Sequence, residues 1–368
     1  MATQSNTQRV FNFSAGPAVL PMSVLEQAQA ELICLPGAGA SVLEISHRGA
    51  AFIEIMNSAV ARLRDLLGIS DEFEVLLLQG GSRLQFSMTA INLAPGAAAP
   101  PDYVITGTWG KKALEEAQKV CAPRVVWDGK PHNYSEAPDW SSLELNPQAA
   151  YAYITSNETI QGVQLPTDLD SPAPLVCDSS SDFLSRPVPM DKYGLLYACA
   201  QKNAGPAGVT VVIIRKDLMG RAPSDTPGYL DYRNHAEAES MYNTPPTFAI
   251  YLLDLVCKWL QQDVGGLANI ERQNIDKANQ VYTVIDESDG FYQGHAEKSC
   301  RSMMNATFRM ANEQLDKQFI AEAREQGLDG LKGHRSVGGV RVSMYNAMPL
   351  EGISTLCQFM RDFMNRNG

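Results

Sequence analysis

Seven short apolar runs lie between residues 75 and 214: Val75 to Leu78, Tyr103 to Ile105, Val125 to Trp127, Tyr151 to Ile154, Leu175 to Cys177, Leu195 to Cys199 and Val209 to Ile214. They are too short for helices and lack the polar alternation of a strand with one wet face, so they read as strands buried on both sides. Helical or loop segments separate them, as the crossovers between parallel strands require. The expected fold is α/β, with a large domain whose mainly parallel sheet is covered by helices.

The flanks fill in the rest. Pro21 opens a helical stretch, and Ile53, Met56, Val60, Leu63 and Leu67 recur at steps of three and four up to Gly68, which predicts an amphipathic helix with a glycine stop. After Pro245-Pro246 two long helical patterns, Phe248 to Gln262 and Leu267 to Asp286, meet at Gly265-Gly266. The tail then reads strand (Met303 to Met310), helix (Glu313 to Gln326), strand (Val340 to Tyr345), helix (Leu350 to Asn365), a smaller α+β C-terminal domain. A chain of 368 residues has room for two domains. Residues 1–262, N-terminal segment included, are expected in the large one and 263–368 in the small one. Gly96 to Pro101 and Gly129 to Pro138 read as loops.

Thirty Lys+Arg against forty-one Asp+Glu leave a net charge of −11. That field repels nucleic acid and anionic membrane surfaces, so an anionic substrate must be captured by a local cationic pocket. The seven cysteines are scattered, with no Cys-x-x-Cys pair and no His spacing suited to zinc, and read as reduced thiols. None is expected in an exposed Gly/Ser-rich loop. The start, MATQSNTQRVFNF, lacks the layout of a signal peptide, and no apolar run approaches the roughly 18 residues of a membrane span, so the expected location is cytoplasmic.

In an open α/β sheet ligands collect at the carboxyl ends of strands. Three such ends carry chemistry. Gly80-Gly81-Ser82-Arg83 follows the first run and leads into a helical pattern, Leu84 to Leu93, so a glycine turn presents a helix start to an anion. Its spacing matches neither Gly-x-Gly-x-x-Gly nor the P-loop, and the closing Gly of a serine-hydrolase elbow is missing. Asp178 ends the fifth run, a position more often filled by a turn or cap residue than a catalytic one. Lys202 follows the sixth, in a crowd of small residues, Ala-Cys-Ala-Gln-Lys-Asn-Ala-Gly, where desolvation would lower its amine toward a nucleophile. A phosphate cradle, an acid and a lysine at three strand ends are what pyridoxal 5'-phosphate requires: an anchor, a partner for the ring nitrogen, and a Schiff-base amine.

The chain also resembles the phosphoserine aminotransferases, class V enzymes of the fold-type I pyridoxal-phosphate group. The likeness runs nearly end to end, through FNFSAGPAVLP (11 to 21), SHRG (46 to 49), GGSRLQF (80 to 86), NETIQG (157 to 162), AQKNAGPAG (200 to 208), YNTPPTF (242 to 248) and KGHRSVGGVRVSMYNAMPLEG (332 to 352). The resemblance implies that Lys202 forms the internal aldimine, Asp178 faces the ring nitrogen, Trp109 stacks on the ring and Thr159 lies beside its hydroxyl. It implies phosphate contacts from Ser82, Arg83 and Gln201, and from Asn243 and Thr244 of a neighbouring subunit, hence a homodimer with shared sites. Two positions depart from the family: Ala15 where a substrate-contacting Ser is frequent, and Ser82 where Gly or Ala is common. The resemblance further implies that Arg341 holds the substrate α-carboxylate, while His47, Arg48, His334 and Arg335 serve the distal phosphate or the γ-carboxylate of glutamate. The implied reaction carries the amino group of L-glutamate to 3-phosphohydroxypyruvate in two ping-pong halves, with no metal, yielding O-phospho-L-serine and 2-oxoglutarate for serine biosynthesis; some relatives also act on a phosphorylated precursor of pyridoxine. Competing readings are another small-molecule transaminase, a cysteine desulfurase, a serine hydrolase built on Ser82, and a non-catalytic binding module.

Overall fold

The computed structural model describes residues 9–368; residues 1–8, part of the stretch read above for its lack of a leader, lie outside the described residues. Chain order begins β1 (Phe11–Asn12), α1 (Met22–Glu31), α2 (Ala50–Leu67), β2 (Phe73–Leu78), α3 (Gly81–Leu93), β3 (Asp102–Ile105), α4 (Thr108–Ala117) and β4 (Arg124–Asp128). It continues through β5 (Ala152–Thr155), the short β6 (Asn157–Glu158) and β7 (Val163–Gln164), β8 (Leu175–Asp178), β9 (Tyr193–Cys199), β10 (Thr210–Arg215) and α5 (Tyr232–Glu237). The last part is α6 (Thr247–Gln262), α7 (Leu267–Asp286), β11 (Gln293–Gly294), β12 (Asn305–Arg309), α8 (Glu313–Glu325), β13 (Leu328–Asp329), β14 (Val340–Ser343) and α9 (Leu350–Asn367).

The seven apolar runs are the seven strands of one sheet, in the order β2-β10-β9-β8-β5-β3-β4. Every pairing is parallel except those of β10, antiparallel to both β2 and β9. Apolar side chains of α2 and α6 cover one face and those of α3 and α4 the other, so both faces of the interior strands are dry. At the edge, β4 departs from the expectation of a buried strand: Val125 is 43 % exposed because no strand lies beyond it. The inward stripe of α2 also differs. It runs through Phe52, Met56, Ala59, Leu63 and Leu67, while Ile53 is 37 % exposed. Adjacent apolar residues allow two faces about 100° apart on a helix, and packing on α6 selects one. Gly68, at φ 63°, closes the helix as expected.

The second core gathers around the antiparallel sheet β11-β12-β14 and the inner faces of α7, α8 and α9. The expected division at 262/263 falls in the link between α6 and α7. Helix α7 spans both cores: Leu267 and Ile270 pack in the first, Ala278, Val281, Val284 and Ile285 in the second. The N-terminal segment, expected with the large unit, is divided as well. β1 pairs with β13 and Phe13 is buried in the second core, whereas Val24 and Ala28 of α1 pack on α6. Among the described residues no helix is long and apolar enough to cross a membrane.

Candidate active site

The carboxyl ends of β2, β5, β8 and β9 open onto one cavity of about 420 Å³. The turn after β2 forms one wall. Gly80 adopts φ 94°, where a Cβ would collide with the Leu84 side chain. No side chain caps α3, so its first backbone N–H groups lack intrahelical acceptors and meet the cavity at Gly81, Ser82 and Arg83. Arg83 has no acidic partner within 4 Å among the described residues.

Lys202 rises from the turn after β9, and its Nζ donates to Thr159 Oγ1 at 2.7 Å. Burial pushes this amine down, but Tyr345, Cys199, Asp178 and Glu158 push it up, and the balance lies above the ordinary lysine range. The lowering expected from small neighbours is therefore overturned, because the pocket that desolvates the amine also surrounds it with acidic groups. Asp178 ends β8 and accepts from Ser180 N at 3.0 Å and from Ser180 Oγ. Burial pushes its carboxyl up, Lys202 and the two Ser180 hydrogen bonds pull it back, and Asp182 adds to the rise.

Trp109 occupies the first turn of α4. The buried carboxylate of Glu158, in β6, holds that turn by accepting from Trp109 N at 2.9 Å and Gly110 N at 2.8 Å. Burial pushes Glu158 up to about 7 against the opposing pull of those two amides. Lys202 Nζ and Arg83 Cζ each lie 5.8 Å from the Trp109 ring centroid. The cavity also contains polar atoms with nothing to bond: Trp109 Nε1, Thr155 Oγ1 and Asn157 Oδ1 are buried and unpartnered. A cavity lined by orphaned polar atoms, an uncapped helix start, a lysine and a carboxylate fits a phosphorylated, hydrogen-bonding ring.

Of the residues expected in the site, Ser82, Arg83, Trp109, Thr159, Asp178, Gln201 and Lys202 line this cavity together, joined by His334 and Arg341. Arg341 has no acidic partner within 4 Å among the described residues, and burial pushes its guanidinium down. His334 is pushed below the usual imidazole range by burial and by Arg341, Arg335 and Lys112, but of these cations only Arg341 lines the cavity wall with it. Its Nδ1 accepts from Ser336 N at 3.2 Å. Arg335 is exposed beyond that wall. His47, Arg48, Asn243 and Thr244 do not line the cavity of their own chain; the last two are exposed, and Asn243 Nδ2 donates to Gln79 Oε1 at 3.0 Å. Sequence reasoning missed Ser180 and Glu158, although both lie within two residues of a motif it used. It also placed no cysteine in an exposed glycine-rich loop, yet Cys34 is exposed just before Gly37 and Gly39; it is remote from the cavity lining.

A lysine, a carboxylate and an anion cradle at the strand ends of a seven-stranded sheet with one antiparallel member define a class of transaminases, and residues 10–356 match the family model for class-V aminotransferases, the family to which this chain belongs. Its cofactor is pyridoxal phosphate. Within that class the chain falls with the phosphoserine aminotransferases. It is 54 % identical to the phosphoserine aminotransferase of Rhodopirellula baltica, over all of this chain and 98 % of that one. The solved phosphoserine aminotransferase of Bacillus circulans subsp. alkalophilus superposes with a TM-score of 0.95 at 45 % identity, covering 98 % of this chain and all of that one. The pyridoxal-phosphate-bound enzyme of Trichomonas vaginalis gives 0.91 at 41 % identity, covering 96 % and 100 %.

Proposed function

We propose that this enzyme moves the amino group of L-glutamate to 3-phosphohydroxypyruvate, forming O-phospho-L-serine and 2-oxoglutarate. What carries this reading is Arg341, a guanidinium in the cavity wall without an acidic partner among the described residues, beside His334 and near Arg335. Several cations left open at one mouth, in a chain of charge −11, select a substrate with two anionic ends.

Pyridoxal phosphate, when bound, supplies a conjugated ring that takes up the electron pair of the substrate Cα–H bond. The chain's own residues do the rest. The uncapped start of α3 with Arg83 and Gln201 binds the phosphate, Trp109 covers a ring face, and Asp178 keeps the ring nitrogen protonated. Lys202 Nζ, positioned by its hydrogen bond to Thr159 Oγ1, would hold the cofactor. Its free amine would take the proton from substrate Cα and hand it on to the bound cofactor, so that the proton lost by the amino donor is carried by this side chain. Arg341 grips the α-carboxylate and thereby fixes Cα above Nζ.

The working unit in this reading is a homodimer. His47, Arg48, Asn243 and Thr244 lie outside their own cavity, as residues that complete a neighbour's site must. Leu43, four residues before His47, and Tyr242, beside Asn243, are exposed apolar side chains. Seven unpaired cysteines favour the reducing cytoplasm. The test is a panel of keto acids with glutamate as donor. The expected outcome is 3-phosphohydroxypyruvate far ahead of hydroxypyruvate, pyruvate, glyoxylate and oxaloacetate; a preference for an unphosphorylated acceptor overturns the assignment.

A further inference from the structure

The geometry points to the Ser82 hydroxyl as a positioning group for Asp178, acting through Ser180, so that the phosphate cradle and the carboxylate under the cofactor ring form one hydrogen-bonded unit. This rests on the reading above, in which Asp178 faces the ring nitrogen.

Donor counting leaves little freedom. Ser180 Oγ touches Asp178 Oδ1 and lies 2.6 Å from Ser82 Oγ and 3.3 Å from Cys199 N. An ionised carboxylate only accepts, so the single hydroxyl proton of Ser180 goes to Asp178. Cys199 N–H only donates, and takes one lone pair of Ser180 Oγ. The Ser82 contact must then run from Ser82 into the remaining lone pair. Ser82 thus has no hydroxyl proton left for a phosphate, which needs donors; toward the cradle it offers its backbone N–H. The Ser82 hydroxyl is committed to the acid, not to the anion.

The chain of hydroxyls is buried, since Ser180 and Asp178 are almost wholly covered. Among the described residues both hydrogen bonds to the Asp178 carboxylate come from Ser180. The other titratable groups around it act only through space: Lys202 as the cation, Glu158 and Asp182 as acids, and Tyr153, Tyr197 and Cys177 kept neutral by burial. Lys202 through its charge, and Ser180 through the hydrogen bonds it donates, oppose the rise that burial imposes on this carboxyl, and Ser82 keeps Ser180 turned the right way. A neutral hydrogen bond lost at this depth weakens cofactor binding about fivefold, and one lost directly at the carboxylate on the order of tenfold or more.

The test uses holoenzyme reconstituted with pyridoxal phosphate carrying ¹⁵N in the ring, in wild type, Ser82→Ala, Ser82→Thr, Ser180→Ala, Asp178→Asn and the Ser82→Ala/Ser180→Ala double variant. The ring ¹⁵N shift is followed against pH and cofactor affinity is measured by equilibrium dialysis. Ser180→Ala should lower the pH at which the ring nitrogen loses its proton, Ser82→Ala should lower it less, and Ser82→Thr should restore it. The double variant should match Ser180→Ala, because Ser82 acts only through Ser180. A signal that responds to Asp178→Asn but not to Ser82→Ala, with affinity losses that add in the double variant, overturns the relay and makes Ser82 a phosphate ligand. A signal unmoved by Asp178→Asn overturns the placement of Asp178 and the relay with it.

Discussion

Lys202 sits where burial and charge oppose each other, and charge prevails: burial pushes the amine down, while Tyr345, Cys199, Asp178 and Glu158 push it above the ordinary lysine range. Borohydride reduction of the holoenzyme should bleach its visible absorbance and fix the cofactor's mass on the peptide containing Lys202, read by mass spectrometry; a label on another lysine would sink the assignment. Lys202→Ala should keep some cofactor through the cradle yet lose turnover by 10²-fold or more. The two arginines separate by which end of the substrate they meet. Arg341→Leu should lower kcat/KM for 3-phosphohydroxypyruvate and for hydroxypyruvate alike, because both carry the α-carboxylate. Arg335→Leu should cost about 2 to 5 kcal/mol with the phosphorylated acceptor and little with hydroxypyruvate. Equal losses for both acceptors in Arg335→Leu would place the phosphate elsewhere.

At the scale of elements, α4 depends on a side chain 49 residues downstream. Glu158 substitutes for a local N-cap, and its ionised form is held in a dry site where its carboxyl rises from 4.5 to about 7. A raised carboxyl pKa means the folded state binds more protons than the unfolded one between those values, so stability falls as pH rises from about 4.5 to 7, by on the order of 3 kcal/mol at most. Glu158→Gln lacks that slope. Thermal unfolding of cofactor-free protein should therefore show the wild-type advantage over Glu158→Gln shrinking between pH 5 and 7.5; a constant gap would mean Glu158 does not titrate there. The same long-range cap explains what the sequence hid. Strands were legible because continuous apolar runs have few other readings, and Lys202, Asp178 and Gly80 to Arg83 were legible because they end such runs. Helix α4 begins after Gly107 with no capping side chain of its own, so it carried no local signal. Three consecutive serines, Ser179 to Ser181, are all buried, and only the fold decides that the middle one meets Asp178. His47, Arg48, Asn243 and Thr244 lie outside the lining of their own chain's cavity, a placement that no spacing in the sequence encodes.

For the whole molecule, the proposed completion of each site by two protomers would couple cofactor binding to association. Replacing Asn243 and Thr244 by Ala should weaken cofactor retention, measured by dialysis, although Lys202 is untouched, and added cofactor should shift sedimentation toward the dimer. Undiminished retention in a monomeric, fully active double variant would refute the shared site. The pairing of β1 with β13 joins Phe11 to Leu328, and Tyr345 Oη donates to Ala15 O in the cavity wall at 2.8 Å. Nearly the entire polypeptide must therefore leave the ribosome before Phe11 and Ala15 can meet these two partners, although Ala18 N already finds Gln201 O. At roughly 5 to 20 residues per second the sheet has many seconds to form while the wall carrying Ala15 and Gly16 stays open. A nascent chain stalled before residue 328 would hold the strands, the lysine and the acid while Phe11 and Ala15 still lacked these two partners.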